Sequence, residues 1–187
     1  MPILTITPMR LDDLDEIDRL ERLCFASPWS METYRRELTR NKLSHYWVVR
    51  PLAGTAAAHL PPILAYGGCW LLDYEAHIMT LATHPDWLRC KLGEWLLLYL
   101  IDEIQQAGGT EISLEVRQSN LAAQQLYLSL GFGEVGERKR YYPPAGDLPG
   151  EDALILTLYE LDQESVRLPL ESRLTAAEAE ANRRLAV

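Results

Sequence analysis

Apolar residues recur every three to four positions from Leu11 through Leu14, Ile17, Leu20 and Leu23 to Cys24, with Asp, Glu and Arg between them. That spacing predicts a surface helix with one buried stripe. Pro28-Trp29-Ser30 interrupts it, and Ser30 is placed to N-cap a second helix carrying Met31, Tyr34 and Leu38 on one side. Tyr46–Arg50 reads as a strand, Pro51–Pro62 as a long hairpin-type loop, and Ile63–Leu72 as the next strand. Within that strand Gly67-Gly68 marks a bulge or a close backbone approach. His77–Thr83 is a third short apolar strand, broken by His84-Pro85-Asp86. A strongly apolar helix follows from about Cys90 to Ala107, and Gly108-Gly109 closes it.

Glu111–Val116 alternates polar and apolar strictly, as a strand with one buried face does. Ser119 is placed to cap a helix running to Leu130 and closed by Gly131. Two strands, near Gly133–Arg140 and Asp152–Leu161, flank a turn-rich stretch over Tyr142–Gly150. From Asp162 the chain is polar and rich in Ala, Glu and Arg, and is expected to form an amphipathic helix or a mobile tail. The order α, α, three strands, α, β, α, β, β predicts a mixed α/β (α+β) domain with one layer of sheet and helices on its faces. The domain is expected over 1–161, with 162–187 as a C-terminal extension.

Composition narrows the function. The 187 residues are 48% hydrophobic, enough for a sizeable core. Lys and Arg number 18 against 27 Asp and Glu, a formal charge of −9. Phosphate-backbone affinity needs clustered cations, so direct nucleic-acid binding is not expected, whereas a basic partner suits the charge. Cys24, Cys69 and Cys90 form no C-x-x-C pair and no even framework, which argues against disulfide or zinc stapling. Met1–Glu16 lacks the basic start and long apolar stretch of a signal peptide. The densest apolar run, Trp95–Ile101, is seven residues, where a membrane-spanning helix needs roughly twenty. A cytoplasmic protein with no membrane attachment, monomeric or weakly dimeric, is the expectation.

Three features carry candidate chemistry. Gly131-Phe-Gly133-Glu-Val-Gly136 matches G-x-G-x-x-G, but it follows a helix and leads into a strand-like stretch, the reverse of a dinucleotide fingerprint. The segment after Thr83 ends a strand, turns, and opens a long helix with Arg89, Lys91 and Gly93 at its start. Free N–H groups at a helix start attract anions, although many such starts bind nothing. Glu115 lies on the polar side of its strand, while Asn120, Gln124 and Tyr127 share one side of the next helix. A carboxylate facing a phenol can serve as an acid–base pair. Taken singly, Glu115 also reads as a solvated edge residue and Tyr127 as an aromatic packing beside Leu130.

Together, Leu81-Ala-Thr-His-Pro-Asp-Trp-Leu-Arg-Cys-Lys-Leu-Gly93 and Leu114-Glu-Val-Arg-Gln-Ser-Asn-Leu-Ala-Ala-Gln-Gln-Leu-Tyr-Leu-Ser-Leu-Gly-Phe132 resemble the GCN5-related N-acetyltransferase superfamily. Phe25-Ala-Ser-Pro-Trp-Ser30, Arg140-Tyr141-Tyr142-Pro143 and Gly150-Glu-Asp-Ala153 extend the likeness to the RimI-type ribosomal-protein-alanine N-acetyltransferases. The resemblance spans about Ile3–Leu161, with Pro51–Pro62 as an insertion. It implies a mostly antiparallel central sheet whose middle strands splay, with helices on both faces. It implies acetyl-CoA as co-substrate and no metal. Backbone groups of Leu81, Ala82 and Thr83 would hold the pantetheine arm. The pyrophosphate would lie over Arg89, Cys90, Lys91, Leu92, Gly93 and Glu94, and Asn120 would contact the cofactor. Glu115 would be the general base, directly or through water, and Tyr127 the general acid. Trp29, Tyr141 and Tyr142 would border the acceptor, the N-terminal alanine of a basic small-subunit ribosomal protein.

The family turn reads Gln/Arg-x-x-Gly-x-Gly/Ala, whereas here Leu88 and Lys91 stand at the first polar position and the first glycine. A Lys91 side chain would either crowd the pyrophosphate or pair with it. The retained chemistry would also serve other protein N-termini, lysine or small amines, and a weakened turn would leave a non-catalytic binding module. Cys90, at a helix start among cations, occupies a place where a thiol can be activated, but that position is variable in the family.

Overall fold

The alternation over Glu111–Val116 is realised literally: Ile112, Leu114 and Val116 are buried, and Glu111, Ser113, Glu115 and Arg117 face the other way. This strand, β5 (Glu111–Arg117), sits inside a seven-stranded sheet. The other strands of the computed structural model are β1 (Leu4–Pro8), β2 (Ser44–Pro51), β3 (Ala65–Leu72), β4 (Glu75–Thr83), β6 (Gly133–Tyr142) and β7 (Glu151–Leu158). The structure describes residues 2–55, 57, 59–146 and 149–186. The order is β1-β2-β3-β4-β5-β7-β6, and all neighbours are antiparallel except β4 and β5.

Helices cover both faces. One apolar cluster joins Ile112, Leu114 and Val116 to α3 (Leu92–Gln106), through Leu96, Leu97, Leu100, Ile101 and Ile104. Each such side chain contributes roughly 1.5–3 kcal/mol on burial. A second cluster joins Leu14, Ile17 and Leu20 of α1 (Leu14–Cys24) and Tyr34 of α2 (Met31–Arg40) to Tyr46, Val48 and Tyr66 of the sheet. Ser30 caps α2 as expected, its Oγ accepting the Thr33 N–H at 3.1 Å. Gly131 (φ +97°) turns the chain out of α4 (Leu121–Ser129) into β6, so the G-x-G-x-x-G stretch is a helix stop and a strand start. Residues beyond Asp162 form α5 (Glu164–Leu185), which lies on α3 and puts Leu170, Ala177, Ala181 and Leu185 into the main core.

The structure corrects two expectations from sequence. Leu4–Pro8, ahead of the first expected helix, is an edge strand paired with β2. Its five residues are too short for a periodic signal. Part of its order comes from far along the chain, where Asn182 Oδ1 accepts the Ile3 and Leu4 N–H groups at 2.7 and 2.9 Å. The cap of α4 is Asn120, whose Oδ1 accepts the Ala123 N–H at 3.2 Å. Ser119 instead turns its N–H and hydroxyl to Glu151, each at 3.1 Å.

The central feature is a split. β4 and β5 pair only from Glu75–Ile78 against Glu111–Leu114. Opposite β3, Gly68 pairs with Thr80 and Cys69 with Ile78, so Met79 is an extra residue in β4. A bulge bends its strand and sharpens the local twist, and this one falls where the pairing with β5 stops. Beyond it β4 stays on β3 while Glu115–Arg117 stays on β7. Gly68 permits the tight packing on this side: a Cβ there would lie 2.2 Å from the Tyr46 ring.

Candidate active site

The split leaves the β5-facing edge of Met79–Thr83 without a strand partner among the described residues. An unpaired edge offers backbone groups to any extended ligand, as strand addition does. Leu81, Ala82 and Thr83, the expected pantetheine contacts, form this edge, with Ala82 buried and the other two partly exposed.

Glu115 stands at the mouth of the split. His77 on β4 and Ser113 and Glu115 on β5 share a face, because the parallel register sets His77 opposite Ser113. His77 Nε2 lies 2.6 Å from Glu115 Oε2, and its Nδ1 lies 2.9 Å from Ser113 Oγ. Arg138 Nη1 approaches Glu115 Oε1 at 3.1 Å. Burial raises the affinity of the Glu115 carboxyl for its proton. The His77 hydrogen bond and the charges of His77 and Arg138 more than offset this and hold it below the usual carboxylate range. Glu115 is thus an anion oriented by His77 and Arg138, with Ser113 holding the far side of the His77 ring. His77, Ser113 and Arg138 are additions to the site expected from sequence. The only cue to His77 is an imidazole near the start of a mostly apolar strand, and its partner follows from a register that the sequence does not display.

Tyr127 comes from the opposite side of the sheet. It is 7% exposed and belongs to the main core, with its ring 5.7 Å from that of Phe132. Burial, then the nearby Tyr142 phenol, push its pKa well above the ordinary tyrosine value, so it keeps its proton at neutral pH. Tyr142 links the two sides: its hydroxyl donates to the Glu115 carbonyl at 3.3 Å, and the Arg117 guanidinium lies 4.0 Å above its ring. Tyr141 packs edge-on against Tyr142 at 5.0 Å and is exposed. Trp29 enters from the α1–α2 turn, where its N–H donates to Glu21 Oε2 at 2.7 Å. The thiol of Cys24, at the end of α1, donates to the Thr83 carbonyl at 3.4 Å. Burial and Glu21 push that thiol up to about 11, and burial pushes Cys69 up to about 12, so neither is a thiolate at neutral pH.

Past Thr83 the chain makes the turn into α3. Backbone N–H groups of Arg89, Cys90, Lys91, Leu92, Gly93 and Glu94 meet no acceptor among the described residues. Arg89 (φ 64°) and Lys91 (φ 66°) are left-handed, a conformation that costs a side-chain-bearing residue roughly 1–2 kcal/mol. Turns that mix hands in this way aim successive N–H groups to one side and form anion-binding hollows. Gly93 packs against β4, since a Cβ there would lie 3.1 Å from Thr83 Oγ1. The Lys91 ammonium sits on Glu94 at 2.5 Å. Burial raises the Glu94 pKa, but Lys91 and Arg173 bring it below the usual value. The exposed Asn120 commits Oδ1 to its helix cap, which leaves its amide N–H groups toward solvent.

The site thus brings together an opened sheet edge, a carboxylate held at its mouth and, past Thr83, a turn whose N–H groups meet no acceptor among the described residues. A family model described as acetyltransferase (GNAT) family matches residues 14–132, and the chain belongs to that family. The ribosomal protein bS18-alanine N-acetyltransferase of Salmonella typhimurium is 36% identical over 154 residues, 82% of this chain and 96% of that protein. The crystal structure of the ribosomal-protein-S18-alanine N-acetyltransferase from Escherichia coli aligns with a TM-score of 0.73 at 32% identity, covering 84% of this chain and 94% of that one. The NatC complex bound to Gag peptide and CoA aligns with a TM-score of 0.68 at 22% identity, covering 84% of this chain and 98% of that one, a likeness of fold.

Proposed function

We propose that this protein transfers an acetyl group from acetyl-CoA to the α-amine of an N-terminal alanine, on a ribosomal protein of the bS18 type. The observation that carries the reading is the split between β4 and β5, with the Glu115 carboxylate held at its mouth. The names of relatives at 30–36% identity point to the acceptor, and the net charge of −9 suits a basic one.

In this mechanism the thioester lies in the split, its pantetheine arm along Leu81–Thr83 and its phosphates over Arg89–Glu94. An α-amine has a pKa of roughly 7.7–8.0, so a useful fraction is neutral at physiological pH. Its nitrogen attacks the thioester carbonyl, the C–N bond forms, and the nitrogen becomes strongly acidic. Glu115 then accepts its proton, directly or through water. A carboxylate with a lowered pKa can do this because the proton leaves after bond formation. As the C–S bond breaks, the CoA sulfur takes a proton from the Tyr127 hydroxyl. The dry surroundings that raise the Tyr127 pKa also raise the proton affinity of a thiolate, which brings donor and acceptor closer together. Trp29, Tyr141 and Tyr142 border the acceptor peptide. Initial rates on peptides that differ only at residue one test the reading. Alanine is expected to lead, and equal rates for every first residue and for a lysine side chain would overturn the assignment of acceptor.

A further inference from the structure

The turn that receives the phosphates in this reading is held from outside the residues that the family model matches. Arg89 and Lys91 are left-handed without being glycine, and the N–H groups from Arg89 to Glu94 bond to nothing among the described residues. Their hold comes from α5. Arg184 Nη1 donates to the Arg89 carbonyl at 2.5 Å, while its Nε is fixed on Glu180 at 2.6 Å. Eleven residues earlier in the chain, Arg173 grips the other end of the turn. Its Nη2 and Nε meet Glu94 Oε1 at 2.8 and 3.2 Å, and its Nη1 donates to the Ser129 carbonyl at the end of α4. The helix carrying both arginines is itself anchored by Leu170, Ala177, Ala181 and Leu185 in the core and by Asn182 on β1.

We infer that α5 is a brace for the acetyl-CoA turn: Arg184 and Arg173 lock the left-handed backbone in which its free N–H groups face the phosphates. The inference rests on the proposed reading of that turn as the phosphate seat. Both arginines are positioning residues. A turn fixed before binding loses less freedom on binding, and a turn populated in the competent form only part of the time binds more weakly by that fraction. Lys91 holds a positive φ with a full side chain, and the brace supplies the restraint that a glycine there would not need.

The test compares the full chain with Arg173→Gln/Arg184→Gln, with Lys91→Gly, and with the triple variant. Calorimetry with acetyl-CoA and with CoA gives Kd, and hydrogen exchange of the 88–95 segment reads the turn without ligand. The double variant is expected to bind both molecules about tenfold more weakly, the effect of about 1.4 kcal/mol, and to exchange faster across the turn. Its KM for the acceptor peptide at saturating acetyl-CoA is expected to stay at the wild-type value. With Lys91→Gly present, the penalty of the two arginine changes should shrink without vanishing, because glycine adopts positive φ unaided while Arg89 stays left-handed and still needs its hold from Arg184. A folded double variant with wild-type Kd, or an equal penalty with glycine at position 91, overturns the brace. Failure of the wild type to bind either molecule overturns the phosphate seat, and the brace with it.

Discussion

His77 Nε2 lies 2.6 Å from Glu115 Oε2, across the last stretch over which β4 and β5 remain paired. The contact ties the carboxylate to the strand that leaves it, so the geometry of the split and the ionisation of Glu115 are set together. Replacing His77 by Ala removes the main influence holding the carboxyl down and leaves burial weakly opposed by Arg138. The Glu115 pKa is therefore expected to rise, measured by carbon NMR titration of its carboxyl carbon. Its folded value lies below the unfolded one, so its contribution to stability is complete above about pH 4.3. That contribution fades as pH falls through the folded value, and His77→Ala should lose it. With an Ala-starting peptide, kcat/KM should fall about tenfold, the scale of a lost charge-assisted hydrogen bond.

Glu21 anchors the opposite wall. It is 2% exposed, and it accepts the hydroxyls of Tyr34 and Tyr66 on Oε1 and the Trp29 N–H on Oε2. Glu21→Ala strands two buried phenols and should cost roughly 3–5 kcal/mol in urea unfolding, whereas Tyr66→Phe leaves the carboxylate two partners and should cost roughly 1–2 kcal/mol.

Acid should loosen α5 before it unfolds the sheet. Glu180, forked by Arg183 and Arg184, titrates at about 2, and Glu94, held by Lys91 and Arg173, also lies below its usual value. Both pKa values are depressed in the folded protein. The stabilisation they provide is present above the unfolded carboxylate range, about pH 4.3, and is lost on acidification toward pH about 2. Thermal melts of wild type and Glu180→Gln should differ at pH 7 and converge near pH 2, and a constant gap would contradict the assignment.

Gly68 has no room for a side chain. A Cβ would meet the buried Tyr46 ring at 2.2 Å, and β3 and β2 would have to part. Gly68→Ala should lose roughly 1–3 kcal/mol or more by overpacking, visible as a lowered Tm. Gly133→Ala, with nothing within 4 Å of its Cβ, should leave Tm nearly unchanged.

Much of this architecture was legible in the residues. Period-3.6 stripes placed α1 and α2, strict alternation placed β5 and the outward face of Glu115, and Gly67-Gly68 marked a real close approach. The family motifs, more than periodicity, pointed to the turn before α3 and to Tyr127. What stayed hidden depends on distance in sequence. β1 is too short to show a period and is held partly by Asn182, and the His77–Glu115 contact follows from a parallel register that local pattern cannot reveal. The reach of Arg173 and Arg184 to the turn needs the packing of α5 on α3, which a polar, Ala-rich stretch does not announce.

The most direct measurement of the central claim is the position of CoA in a crystal of this protein grown with it. Density is expected along Leu81–Thr83, with the sulfur between Glu115 and Tyr127 and the phosphates against the N–H groups of Arg89–Glu94. Density for CoA elsewhere on the surface, with β4 and β5 closed over the split, would contradict the account.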